Sequence, residues 1–206
     1  SLGESVPLIF NKYFPPRNPC HFDFLLYVDA DVMPHPSFSI YELHAAFMAS
    51  GGFIGMVRDT NGLGWIDDSI EAYKELYIGI QPDWCTYFNA GIIAYDRYGS
   101  QIVRAAGRHM ASNSELIGQL RNSYHSRSIG IGTDQTNFNL FLQRLGINIS
   151  ILPERYNLGH LARKDIVRQD KFLRLGLLIH FNGLNSSQRA DLMQRTYSYF
   201  KHIYFQ

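Results

Sequence analysis

Phe24-Leu25-Leu26-Tyr27-Val28-Asp29-Ala30-Asp31-Val32-Met33 is the stretch whose reading decides the fold. Five apolar residues run straight into two carboxylates, and Pro34 closes the run. A short apolar run bounded by a turn signal reads as a buried strand of a mostly parallel sheet. Ligands of open α/β sheets sit beyond the carboxyl ends of their strands, and Asp29 and Asp31 occupy that end. Side chains two apart on a strand share a face, so both carboxylates can converge on one cation. Proline offers no backbone N–H, so Pro34 stops the ladder.

Outward from this stretch, strands alternate with helices. Before it, Val6–Phe10 could be a short strand or one helical turn, and Pro15-Pro16 and Pro19 make a stiff approach. After it, Ser37 or Ser39 can cap a helix carrying Leu43, Ala46 and Phe47, ended by Gly51-Gly52. Phe53–Val57 reads as a second buried strand, 58–68 as a polar loop and about 69–78 as a helix. Tyr87-Phe88-Asn89-Ala90-Gly91 leads into a strand at Ile92–Tyr95. Helical pattern fills about 100–112 and 114–120, and the Ser/Gly-rich segment 122–132 reads as a loop. Asp134-Gln135 open an amphipathic helix with Phe138, Phe141, Leu142 and Leu145 on its apolar face and Gly146 as its stop. A strand at 148–152 exits through Pro153-Glu154-Arg155-Tyr156-Asn157. A last strand, Leu177–Ile179, ends in His180-Phe181-Asn182-Gly183, and a terminal helix covers about 186–199. This alternation is the α/β signature. Polar residues collect at strand ends (Asp29, Asp31, Asn89, Asn157, His180), as one cleft would require.

Bulk composition narrows the class. At 206 residues one domain is the default. A hydrophobic content of 46% supports a core and argues against disorder. Net charge is +1, with no basic face or tract of the kind nucleic acid requires. Cys20 and Cys85 are too few for a disulfide framework or zinc site and read as core thiols. No apolar run approaches the ~20 residues of a membrane span, and no signal-peptide pattern is present. The compartment stays unknown. Ser1 in place of Met suggests a processed or partial chain.

Two carboxylates and a distant histidine can bind Mn²⁺ or Mg²⁺, which favour oxygen ligands in near-octahedral shells. One imidazole among carboxylates tilts the choice toward Mn²⁺. Such an ion would neutralise charge developing on a diphosphate leaving group.

Leu26-Tyr27-Val28-Asp29-Ala30-Asp31 resembles the metal-binding motif of nucleotide-sugar glycosyltransferases with the GT-A fold. Four further stretches resemble glycosyltransferase family 8, the glycogenin-like group. They are Tyr87–Gly91, Asp134-Gln135, Leu152–Asn157 and Ile179–Gly183, in the family's order. The resemblance spans about residues 24–183. It implies a GT-A-like mixed sheet flanked by helices, in a single domain over 1–206, moving a sugar from a nucleoside-diphosphate donor, UDP by expectation, to an acceptor hydroxyl on a carbohydrate, glycan or protein. It further implies that Asp29, Asp31 and His180 hold the metal that bridges the donor diphosphate. Asn89 and Gly91 would lie beside the donor sugar, Asp134 would bond sugar hydroxyls, Gln135 would lie near the reacting carbon, and Gly183 would bring backbone to the diphosphate.

The sequence departs from the family twice. The lysine that follows the final glycine in the family is absent; either Arg189 substitutes for it or the phosphate grip is weaker. Only 28 residues precede Asp29, so the N-terminal nucleotide-binding half reads as short. The chain is then a fragment, holds its nucleotide unusually, or has lost catalysis. That keeps open a non-catalytic domain binding sugar or protein. A haloacid-dehalogenase-like phosphohydrolase also ends an apolar strand in Asp-x-Asp, with Asp67-Asp68 as its later acidic pair, but the Ser/Thr motif and lysine expected between them are missing.

Overall fold

The computed structural model describes residues 12–15, 22–59, 77, 79–80, 83–124, 134–161 and 170–205. The expected element at 6–10, all but residue 77 of that at 69–78, most of the loops at 58–68 and 122–132, Cys20 and Asp67-Asp68 lie outside them.

Strand β1 (Leu25–Val28) is followed after a turn by β2 (Val32–Pro34). Helix α1 (Ile40–Ala49) begins where Ser39 Oγ accepts the Glu42 N–H at 3.4 Å, buries Leu43 and Phe47 one turn apart, and ends at Ser50 before Gly51 at φ +70°. Strands β3 (Ile54–Arg58) and β4 (Phe88–Tyr95) follow, then α2 (Arg97–Ser112), capped by the Asp96 carboxylate on the Gly99 N–H, and α3 (Ser114–Tyr124). Helix α4 (Asp134–Arg144), β5 (Ile149–Ile151), the single turn α5 (Phe172–Leu175), β6 (Leu178–His180) and α6 (Ser186–Tyr204) complete the order. Asn185 and Gln188 form a reciprocal capping box at the start of α6.

The main sheet runs β1-β4-β3-β5. All eight residues of β4 are buried, as an inner strand covered on both faces must be. Tyr13, Ile54, Met56, Phe88 and Ala90 pack with Val103, Ala106 and Met110 of α2 and Phe138 and Leu142 of α4. Leu43 and Phe47 of α1 pack with Val57, Ala94, Leu152 and Tyr156 in a second cluster. The chain is thus a mixed sheet flanked by helices. A third cluster joins Leu158, Ile179 and Phe181 to Leu192 and Phe200 of α6.

Several expectations are corrected. The sheet is not mostly parallel: β1/β4 and β3/β4 are antiparallel, and only β3/β5 is parallel. The opening run is not one buried strand. β1 lies at the sheet edge, half-buried, with Val28 41% exposed. The Val32 N–H closes a turn onto the Asp29 carbonyl at 3.1 Å, and β2 leaves to pair with β6 in a separate two-stranded ribbon. Asn89 and Gly91 sit inside β4 instead of leading into it. The α2 helix starts at Arg97 because Asp96 caps it. Leu145 faces solvent, beyond the last residue of α4. Cys85 is an exposed free thiol, not a core residue.

Candidate metal centre and its buried polar network

The β1–β2 turn places the acid pair. The Asp29 N–H donates to the Gly91 carbonyl at 2.8 Å, fixing the end of β1 against β4. Asp31 sits in the turn itself. In the ribbon Val32 pairs with His180, and the Phe181 N–H donates to the Asp31 carbonyl at 2.9 Å. One ligand atom from each of Asp29, Asp31 and His180 lies within 4.8 Å of the others. The carboxylates converge through a turn, not through the two-residue repeat of a strand. His180 is buried at 4% exposure. Its Nε2 is 3.3 Å from Asp31 Oδ1 and 3.9 Å from Asp29 Oδ2.

The outer oxygens are held from outside the cluster. The Tyr27 hydroxyl donates to Asp29 Oδ1 at 2.6 Å, and Arg189 Nη1 lies 3.1 Å from Asp31 Oδ2. The hydrogen bond from His180, together with the charges of His180 and Arg189, outweighs burial and holds the Asp31 carboxyl below its ordinary value. Burial and the Asp29 hydrogen bond and charge raise Tyr27, keeping it a neutral donor. An N,O,O set of this kind, with one oxygen of each carboxylate turned inward, suits a six-coordinate hard cation.

Behind the cluster the strand's backbone comes close. Phe88 and Ala90 point into the α2/α4 core, so by alternation Asn89 and Gly91 face the imidazole. A Cβ on Gly91 would collide with His180 Cε1 and lie 2.6 Å from its Nδ1. Glycine is required at that position by the ring packed on it.

Asn89 Oδ1 accepts the Gly91 N–H at 2.9 Å and Asn157 Nδ2–H at 2.8 Å, and its Nδ2 donates to Asp59 Oδ2 at 3.3 Å. Asn157 Oδ1 is 3.0 Å from His180 Nδ1. Gln135 spans the cleft wall: its Oε1 accepts the Ala90 N–H at 3.0 Å, and its Nε2 donates to Asp59 at 2.9 Å and to Tyr87 at 3.2 Å. Burial alone would raise the Asp59 carboxyl. The hydrogen bond and charge of His160, with the Gln135 and Asn89 amides, reverse this and hold it at about 2. His160 Nε2 lies 3.2 Å from Asp59 Oδ1.

Asp134 heads α4 and accepts from Tyr13 at 2.9 Å. Lys12 touches it directly and lies 3.7 Å from Asp29 Oδ1, so one ammonium ties Asp134 to the acid pair. Gly183 has a different neighbour. It has φ +72°, and a Cβ there would meet His160, not the cluster.

The structure therefore gathers Asp29, Asp31 and His180, sets Asn89 and Gly91 behind them, and links Asp134 and Gln135 to them through Lys12 and Asp59. Sequence reasoning missed Lys12, Tyr27, Asp59 and His160. Tyr27 carried a signal, since it stands two residues before Asp29. Asp59 carried another, as a polar residue one past the end of β3. Nothing marks Lys12 or His160 in the sequence.

No protein-family model matches the chain, and no curated protein matches it. Solved structures do. The apo structure of the WbbM bifunctional glycosyltransferase aligns at TM-score 0.53 and 18% identity over 86% of this chain. The chain spans about a third (32%) of that protein's length. Apo mouse xyloside xylosyltransferase 1 aligns at TM-score 0.47 and 19% identity over 85% of this chain and 64% of that one. The glycosyltransferase GlyE of Streptococcus pneumoniae TIGR4 aligns at TM-score 0.40 and 16% identity over 96% and 45%. The fold is similar to that of WbbM. Among the described residues, no helix is long and apolar enough to cross a membrane.

Proposed function

We propose that this chain is the catalytic part of a metal-dependent glycosyltransferase that moves a sugar from a nucleoside-diphosphate donor, UDP-linked, to an acceptor hydroxyl of a carbohydrate, glycan or protein. The observation that carries this reading is the meeting of Asp29, Asp31 and His180 with their ligand atoms within 4.8 Å. The fold shared with WbbM supports it.

These three residues would hold Mn²⁺ or Mg²⁺. A divalent ion there supplies positive charge to a diphosphate leaving group. The chain's own residues do the rest. Tyr27 and Arg189 keep the outer carboxylate oxygens engaged, so the inner ones stay aimed at the cluster. Asn89 and Gly91 serve the donor-sugar side of the site through His180, whose ring packs on Gly91. Asp134 orients sugar hydroxyls, and Lys12, seated between Asp134 and Asp29, compensates two carboxylates that would otherwise repel. Gln135, gripped at both ends of its amide, presents a fixed dipole near the reacting carbon. The Gly183 loop, with its left-handed backbone and no Cβ, lets a phosphate approach close to the chain.

Donor hydrolysis or transfer from UDP-sugars, with and without Mn²⁺, tests the reading. Turnover is expected to require the ion and to vanish in Asp31→Ala and in excess chelator. Turnover unchanged by both would overturn it.

A further inference from the structure

Asn89 and Asn157 are buried, at 6% and 5% exposure. Which end of an amide is oxygen is decided by its partners. Two partners of Asn89 leave no choice. The Gly91 backbone N–H can only donate, so the atom 2.9 Å away is Oδ1. The Asp59 carboxylate can only accept, so the atom 3.3 Å from it is Nδ2. The same Oδ1 lies 2.8 Å from Asn157, which must therefore present its Nδ2 there and turn its oxygen toward His180. A carbonyl oxygen only accepts, so His180 Nδ1, at 3.0 Å, carries a proton. The other ring nitrogen, Nε2, faces the acceptor-only carboxylates of Asp31 and Asp29, so an ion held by the three would take the place of a proton on Nε2 while the one on Nδ1 stays. The backbone locks this register, because the His180 N–H donates to the Leu158 carbonyl at 3.0 Å and the Leu158 N–H to Leu178 at 3.0 Å.

We propose that Asn157 is a positioning residue of the cation site: aimed by Asn89, it keeps the proton on Nδ1 of His180 and leaves the Nε2 lone pair for an ion shared with Asp29 and Asp31. The inference rests on the metal-dependent reading above and extends it to two residues that touch no ion. Asp59 is acceptor-only throughout the neutral range, so the relay keeps one polarity. An outer partner that fixes a ligating imidazole is worth 10- to 100-fold in metal affinity.

Three proteins separate the possibilities: wild type, Asn157→Leu and Asn157→Asp. Mn²⁺ titrated by calorimetry gives affinity, histidine ¹⁵N spectra of the metal-free proteins show whether Nδ1 is protonated, and thermal midpoints check the fold. Asn157→Leu is expected to bind Mn²⁺ ~10- to 100-fold more weakly and to lose the proton preference at Nδ1. Asn157→Asp keeps an acceptor at Nδ1 but loses the donor to Asn89 Oδ1, and is expected to bind Mn²⁺ less tightly than wild type and more tightly than Asn157→Leu. If the leucine variant does not fold, Asn157→Ala replaces it with the same expectation. A leucine variant binding like wild type overturns the inference, and so does an aspartate variant as weak as the leucine one, which would mark a packing role. Wild type taking up no Mn²⁺ overturns the metal reading itself. The ring-proton measurement then still tests the relay, which falls if Asn157→Leu leaves Nδ1 protonated as before.

Discussion

The Tyr27 hydroxyl, on strand β1, lies 2.6 Å from Asp29 Oδ1, two residues on and just past the end of that strand. The carboxylate is thereby left with Oδ2 as the oxygen nearest His180. Loss of a bond that orients a ligand lowers metal affinity by 10- to 100-fold. Tyr27→Phe keeps the ring and removes the donor, so Mn²⁺ affinity is expected to fall about tenfold with little change in thermal midpoint. Calorimetry of the two proteins checks this.

Gly91→Ala pushes a methyl into the His180 ring. The ring is walled in and its Nδ1 is tied to Asn157, so it cannot simply turn aside. The expected outcome is loss of Mn²⁺ binding together with destabilisation of about 1–3 kcal/mol, the usual cost of overpacking. Denaturant midpoints and metal titration measure the two effects separately.

Lys12 is nearly buried between Asp134 and Asp29, with 11% of its side chain exposed. Removing one member of a buried charge cluster leaves the others uncompensated, at about 3–5 kcal/mol. Asp29 is more open, at 28%, so Lys12→Met is expected near the lower end, about 3 kcal/mol. Urea unfolding at neutral pH reads it.

Much of the architecture was legible because it rests on local chemistry. Ser39 and Gly51 bracket α1, and Gly146 follows α4 with φ +62°. The acid pair and His180 were legible as residue types at strand ends. What the sequence could not carry was pairing. No local pattern says that β1 lies antiparallel at an edge or that β2 leaves the main sheet, because partner choice is settled by distant segments. Lys12 was invisible for the same reason, since only the fold brings Asp134 and Asp29 to it. Cys85 was misjudged from the general burial of cysteine, which says nothing of the exposed turn that holds it.

Asp59 gives a pH signature. Its folded carboxyl is held at about 2, below the ordinary 3.8. A depressed carboxylate contributes stability above its unfolded value, and that contribution is lost as pH falls through the folded one. Wild type is therefore expected to lose part of its stability between about pH 4 and pH 2. Asp59→Asn is expected to be less stable at neutral pH and to show a shallower decline across that window. Urea midpoints at several pH values compare the slopes.

The two-stranded ribbon of β2 and β6 has a consequence for how this protein can be altered. It sets Val32 against His180, Met33 against Ile179 and Pro34 against Leu178, and it is the antiparallel pairing that brings the imidazole to the acids. One residue inserted between Ile179 and His180 would flip the ring to the opposite side of the ribbon, so those few positions tolerate no insertion.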